Sequence, residues 1–392
     1  MRLYLSVGDP SGDMHGADLA RALHERAPTA ELLGMGGPLM RAAGVKILFD
    51  PVSRSTIGFF EALTHLGRYR RLLREVVAFL AAHPPDAVVW IDFGGFNLTL
   101  AGHCRRLGIP VVCLFSPSAW AYARGRARLM AQRVTELAAV FPFEAVFYRS
   151  YGLRVTFVGH PLLDRVRAAT DPAAFRREMG VGEEEILLAL LPGSRRQEIA
   201  RLLPVMLEAA GLLLRDRPGL RLILPRAASI PEEVLTPYLA RADLPLRILA
   251  GRTYDVLAAA DVAAIASGTA TLEAALLGTP MVSIYRVSPL SAFLYRLLRN
   301  REQRGRPPST ALPNLVLGRR LVPELLQEEL NGRSLAAELA LLLDRPARRE
   351  EMRAGLREVR QALGSPGAMG RVAEIVLRVA KEKNGSQGEE RG

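Results

Sequence analysis

Two short stretches constrain this chain more than any others: Leu187–Ile199, LLALLPGSRRQEI, and 263–273, AAIASGTATLE. In each, an apolar run meets a glycine turn carrying hydroxyls, and a helix-compatible segment follows. A buried strand feeding a tight turn into a helix start has this pattern. Such a turn offers backbone N–H groups to an anion, helped by the positive end of the helix dipole. Either turn alone is also an ordinary strand–turn–helix connection. Two of them opening on one edge of one sheet favour a nucleotide diphosphate. Ser194 and Arg195 then face phosphate from the first turn, and Ser267, Gly268 and Thr269 from the second. Glu273, one turn into the second helix, suits ribose hydroxyls or a solvated helix face.

The remaining chain repeats the same alternation. RLYLSV (2–7) reads as a strand, followed by Gly8-Asp9-Pro10-Ser11-Gly12-Asp13 and a helix ended by Pro28. This opens a doubly wound parallel sheet, without the dinucleotide fingerprint G-x-G-x-x-G. DAVVWID (86–92) is a strand whose carboxyl end carries Asp92 and the loop Phe93–Asn97. Proton-transfer candidates here are His15, Asp92 and Asp13. The residues alone leave the choice open, since His15 also fits a structural histidine, and Asp92 and Asp13 fit turn caps. Trp120 is either a cleft wall or core, and His160 in Gly159-His160-Pro161 reads as a hinge residue. The first domain is expected over 1–165 and the second over 166–345. Helices follow to 383, and the polar tail 384–392 reads as disordered. Two αβ halves place a ligand cleft between them.

A chain of 392 residues, 49% hydrophobic, is long enough for two such domains. Its net charge of +12 is almost all arginine, with lysine only at 46, 381 and 383. Arginine suits phosphate and carboxylate, and equally reflects GC-rich coding or heat adaptation. No nucleic-acid module is present, so nucleic acid ranks last among partners. Between Ser53 and Leu80, Ile57, Phe59 and Phe60 are interleaved with Arg68, Arg70, Arg71 and Arg74. That reads as a basic amphipathic helix on an anionic membrane surface, or as a core-facing helix with a solvated face. Cys104 and Cys113 have neither metal-ligand nor disulfide-framework spacing, which points to a reducing, cytoplasmic setting. The N-terminus turns polar too early for a signal peptide, and no uninterrupted apolar run is long enough to span a bilayer.

Taken in order, these segments resemble the lipid-A-disaccharide synthase family of inverting glycosyltransferases with the two-domain GT-B fold. The resemblance rests on Gly8–Asp13, Ile91–Asn97, Ser116–Tyr122, Pro142–Glu144, Gly159–Pro161, Leu191–Arg195, Ala266–Glu273, Pro313–Leu315 and Gln327-Glu328, over roughly residues 1–345. It implies a UDP-2,3-diacylglucosamine donor and a 2,3-diacylglucosamine 1-phosphate acceptor, joined by a β-1,6 bond with release of UDP. No cofactor and no catalytic metal are implied. Ser194, Arg195, Ser267, Gly268, Thr269 and Glu273 would hold the uridine diphosphate, with Asn314, Gln327 and Glu328 lining the same cleft. Asp92 matches an acidic residue tied to catalysis. His15 stands where many members have His and others an apolar residue. Ser11, Asp13, Asn97 and Trp120 fall on the acceptor side. Residues 57–74 match a membrane-contacting segment, implying a peripheral protein on the inner face of the cytoplasmic membrane. The C-terminal helices would pack back or exchange between subunits of a homodimer.

The chain departs from the family pattern on the acceptor side only: Asp9 replaces Glu, Phe93-Gly94-Gly95 replaces an Ala-Pro-Asp type loop, and Tyr122 replaces Trp. Two other readings therefore stand beside a transferase. One is a UDP-sugar 2-epimerase on the same fold, which needs no acceptor. The other is a sugar-nucleotide or lipid-binding protein that kept the donor site.

Overall fold

The computed structural model describes residues 1–53, 66–117, 124–287 and 309–389. The chain divides into two compact units: Met1–Pro161 with Ser365–Gly392, and Leu162–Gly364.

The first unit is built on seven parallel strands: β1 (Arg2–Ser6), β2 (Glu31–Met35), β3 (Lys46–Phe49), β4 (Ala87–Ile91), β5 (Val111–Leu114), β6 (Glu136–Ala139) and β7 (Val155–Phe157). Their order is β3-β2-β1-β4-β5-β6-β7. The chain reverses direction across the sheet between β1 and β4, the switch point where doubly wound folds open a crevice. Alternate residues feed two cores. Leu3, Leu5, Val89 and Ile91 pack with Leu19 and Leu23 of the helix Pro10–Arg26 and with Val372 and Val376 of the helix Ala368–Glu389. Tyr4, Val88 and Trp90 pack on the other face with Val76, Leu80, Leu100 and Met130. Burial on both faces explains why these strands read as continuous apolar runs.

The C-terminal helix is locked to this sheet by charge. Glu136, fully buried at the start of β6, accepts from Arg378 at 2.9 and 3.0 Å, from Arg154 at 3.0 Å and from Thr156 at 2.8 Å. A buried carboxylate is tolerable only when paired in this way. The expected boundaries shift accordingly. The first unit ends at Pro161 rather than 165, and the helix Pro346–Ala362 stays with the second unit. The final helix runs to Glu389, so the expected disordered tail is helical over most of its length.

The second unit holds six parallel strands: β8 (Ile186–Leu191), β9 (Leu220–Arg226), β10 (Leu246–Ala250), β11 (Val262–Ala266), β12 (Met281–Tyr285) and β13 (Glu324–Leu326). Their order, β10-β9-β8-β11-β12-β13, reproduces the first six positions of the other sheet. Its switch point lies between β8 and β11. Pro192–Arg195 follows β8 and Ser267–Thr269 follows β11, so the two glycine turns flank it. Among the described residues, no helix is long and apolar enough to cross a membrane.

Candidate active site

In the second unit, the turn after β8 needs glycine twice over. Gly193 has φ +109, and a Cβ there would lie 2.3 Å from Glu198 Oε2. Glu198, in the first turn of the helix Arg196–Asp216, folds back over the turn. Its carboxylate accepts from the backbone N–H groups of Ser194 (3.0 Å) and Arg195 (3.3 Å) and from the Arg195 guanidinium (2.8 Å). The groups expected at a phosphate therefore converge on one anion, here supplied by the chain itself. Arg195 is 80% exposed, so this ion pair is weakly held and exchangeable.

After β11 the arrangement is open. Gly268 is the N-cap of the helix Thr269–Leu277, no side chain caps it, and nothing lies within 4 Å of where its Cβ would be. Thr269 is exposed at this helix start. Ser267 donates its hydroxyl to Thr310 O at 2.8 Å, tying the turn to the segment before the helix Leu312–Leu317. Glu273 is half-buried and accepts from Tyr254 Oη at 3.0 Å. Burial pushes its pKa up, against the Tyr254 bond and the charge of Arg165. Gln327, at φ +49, opens the turn after β13 with the exposed Glu328. Arg286, at the end of β12, donates to the Gln327 and Leu330 carbonyls and fixes that turn.

The side chain of Asn314 is committed to structure. It is buried, and its amide donates to Val322 O (2.9 Å) and Glu324 Oε1 (2.6 Å) while accepting from the Leu321 and Val322 N–H groups (both 2.8 Å). Those four bonds fill its capacity. Glu324, also buried, accepts in turn from Ser309, Thr310 and Ala311. The pair shapes the segment that Ser267 leans on.

In the first unit, the loops after β1 and β4 meet face to face. Phe93 lies over Gly8, where a Cβ would sit 2.3 Å from its ring. Asp92 and Phe93 both have left-handed backbones, φ +51 and +54, and Phe115 after β5 has φ +59. Together with Gln327, four of the five non-glycine residues with positive φ among the described residues lie within two residues after a strand end. Strain concentrated there is a mark of functional loops. Asp92 Oδ1 accepts from the Phe93 N–H at 2.8 Å. The residue is exposed by area, yet protein atoms crowding its carboxylate strip part of its hydration. That desolvation, joined by the negative charge of Asp9, raises its pKa.

Other residues expected on the acceptor side are spent on structure. Asp13 is buried and accepts from the backbone N–H groups of Gly37 (2.8 Å), Leu39 (2.9 Å) and Met40 (3.1 Å), capping the helix Pro38–Ala42. Asn97 ties the switch point shut: it accepts from Ser6 Oγ (2.5 Å) and donates to Ser6 O (3.2 Å) and Asp92 O (2.9 Å). It thereby holds Asp92 in its strained conformation. Ser11 remains exposed in the first turn of its helix. His15 is buried, its ring 4.4 Å from Phe115. His160 joins the same aromatic cluster through Phe141 (4.9 Å), and burial, then His15, pushes its pKa down to about 3. It is thus a neutral core residue beside His15.

Sequence reasoning missed Tyr254 and Arg286. Glu144 was legible in Pro142-Phe143-Glu144, but its state was not. It is buried, bonded to Ser116 Oγ at 3.0 Å, and desolvation pushes its pKa up to about 7. Ile57, Phe59, Phe60 and Trp120 lie outside the described residues. Arg68, Arg70 and Arg71 are exposed on the helix Leu66–Ala82, whose Val76 and Leu80 are buried in the core. Cys104 and Cys113 are free and buried. Among the described residues, no group of three potential ligands gathers to hold a metal.

Residues 3–371 match the lipid-A-disaccharide synthetase family. A lipid-A-disaccharide synthase of Geobacter metallireducens is 41% identical over 383 residues, covering 97% of this chain and 98% of that protein. Among solved structures, UDP-GlcNAc 2-epimerase from Neisseria meningitidis, bound to UDP-GlcNAc, aligns with a TM-score of 0.65 at 11% identity, covering 96% of this chain and 100% of that one. The glycosyltransferase of kitacinnamycin aligns at 0.61 and 17% identity, covering 96% and 98%. The structural likenesses establish the GT-B type fold, shared by epimerases and transferases. The sequence match separates the two, and by it the chain belongs to the lipid-A-disaccharide synthetase family.

Proposed function

We propose that this chain transfers 2,3-diacylglucosamine from its UDP derivative to 2,3-diacylglucosamine 1-phosphate, forming a β-1,6 bond and releasing UDP. The observation that carries the reading is the pair of glycine turns astride the β8–β11 switch point, one already closed around a carboxylate and one uncapped. A diphosphate displaces Glu198 from the first turn and meets the helix start at Gly268 in the second. Arg195 and the two helix N-termini then stabilise the charge that builds on the leaving group. Asp92 takes the proton from the attacking acceptor hydroxyl as that oxygen bonds to the anomeric carbon and the bond to UDP breaks. Its raised pKa makes it a stronger base. Asp92 is favoured over His15 because its carboxylate reaches the sheet edge, whereas His15 is buried against Phe115. The exposed arginines at 68, 70 and 71 suit the anionic surface on which both lipid substrates reside, each worth roughly 1 kcal/mol near such a surface.

The test is UDP release from UDP-2,3-diacylglucosamine with and without the acceptor, the lipid product being followed by mass. Acceptor-dependent release with a disaccharide monophosphate product is expected. Interconversion of the UDP-sugar without acceptor would move the function to an epimerase. Donor binding without turnover would move it to a binding role.

A further inference from the structure

Neither glycine turn explains what fixes the Glu273 carboxylate. Tyr254 does so from another element. It is the second residue of the helix Thr253–Ala259, and its hydroxyl donates to Glu273 Oε1 at 3.0 Å. The helix is itself pinned. Asp255, buried, accepts from the backbone N–H groups of Ala169 (2.7 Å) and Thr170 (3.0 Å) and from Arg252 Nε (2.9 Å). Those bonds tie it to the segment leading from Arg165, whose positive charge acts on both Tyr254 and Glu273. Two separate segments thus bring a phenol and a carboxylate together one turn into the helix that opens at Gly268, with the positive charge of Arg165 acting on both.

The chemistry of this group is specific. Burial favours a protonated carboxyl at 273; the phenol bond and the arginine favour the carboxylate. An ionised carboxylate only accepts hydrogen bonds, and a vicinal diol supplies two donors in fixed geometry. With Oε1 engaged by Tyr254, the rotation of the carboxylate is set before ligand arrives, so ordering cost is lower on binding.

We propose that Tyr254 is a positioning residue that holds Glu273 for the ribose diol of the sugar nucleotide, and that this pair sets the preference for ribonucleotides over 2′-deoxyribonucleotides. The proposal rests on the donor-site reading above, with Glu273 at the ribose. A deoxy ligand leaves a partly buried carboxylate with an unmet acceptor, and sites built to bond a hydroxyl discriminate through that penalty.

The experiment is calorimetric titration of the full chain with UDP and with 2′-deoxy-UDP, repeated for Tyr254→Phe and Glu273→Gln. Wild type is expected to bind UDP about tenfold more tightly than the deoxy analogue. Tyr254→Phe keeps the ring and its packing. It should weaken UDP about tenfold, leave 2′-deoxy-UDP nearly unchanged, and raise the KM for the donor with kcat little altered. A Tyr254→Phe protein with the wild-type UDP to deoxy-UDP ratio overturns the proposal. So does a wild type that binds both ligands equally, while the donor site stands. A wild type that binds neither overturns the donor-site reading itself. Glu273→Gln, which removes the charge without emptying the space, should lose the preference in the same way; retention of the preference there also overturns the pairing.

Discussion

The carboxyl edges of the two sheets share one strand order and use their polar groups in opposite ways. In the second unit, the turn after β8 turns two backbone N–H groups and Arg195 onto the Glu198 carboxylate, and the helix start after β11 has no side-chain cap and exposes Thr269. In the first unit, Asp13, Asn97 and Glu144 are buried and committed to neighbouring loops, while Asp92 stays exposed at the edge with the half-buried Asp9 and the exposed Ser11. An anion needs no more than donors and a helix dipole, which backbone supplies. A base needs one carboxylate in one orientation with a shifted pKa, which takes a rigid, crowded surround. On the proposed reading, the difference between the two edges is the difference between holding a leaving group and moving a proton.

The sharpest way to break that division is to swap charge for neutral isostere at each edge. Asp92→Asn should lower kcat about 10³-fold while UDP affinity stays within about twofold, because Asn97 and the Phe93 turn hold the same backbone. Steady-state kinetics paired with UDP titration would show it; lost UDP binding in this variant would merge the two roles. Arg195→Ala should lower kcat/KM about 10²-fold and weaken UDP as well, since its guanidinium acts on the diphosphate in ground and transition states alike. A variant that loses turnover with UDP affinity intact would place Arg195 in the transition state alone.

How far each edge could be read from sequence follows the same line. The anion-holding turns were legible because glycine, hydroxyl and arginine in a strand–turn–helix context state their chemistry locally: Gly193 at φ +109 needs no distant partner to be understood. The sheet order was legible for a similar reason, since alternating apolar strands and helices admit few connections. The first-unit site was legible only as a set of polar residues. Whether Asp13 caps a helix or meets a substrate depends on Gly37–Met40, and whether Asn97 faces a ligand depends on Ser6; both answers lie far away in the chain. Tyr254 carried no signal, because its partner Glu273 sits on another helix. The left-handed backbones at Asp92, Phe93 and Phe115 are likewise imposed by packing and invisible to propensity.

Stability offers a second contrast. Glu144 is buried and keeps its proton up to about pH 7, whereas in the unfolded chain it ionises near the ordinary glutamate value of about 4.3. The folded pKa is the higher one, so its contribution to stability falls as pH rises from the lower value to the upper and stays lost beyond it. Glu144→Gln removes that loss. The variant should be more stable than wild type at pH 8, by about 3 kcal/mol on that linkage, with the gain vanishing towards pH 4. Denaturant melts at the two pH values would check it. The same exchange at Glu198, a cap at the surface of the other edge, should change stability by about 0.5 kcal/mol or less at either pH. Equal responses at 144 and 198 would erase the distinction between a crowded edge and an open one.

The smallest effect tests the crowding itself. The charge of Asp9 is one of the two influences raising the Asp92 pKa. Its other task is to cap the helix Pro10–Arg26, Oδ1 accepting from the Gly12 N–H at 2.6 Å. Asparagine caps as well as aspartate, so Asp9→Asn removes the charge and keeps the helix start. With less negative charge nearby, Asp92 ionises more easily and its pKa falls. A base works only when ionised, so the acid limb of the kcat profile should move to lower pH, with the plateau slightly lowered as the base weakens. An acid limb that stays in place would assign it to a group that does not feel Asp9. Proton transfer would then leave Asp92, and the crowded loop after β4 would be left as architecture alone.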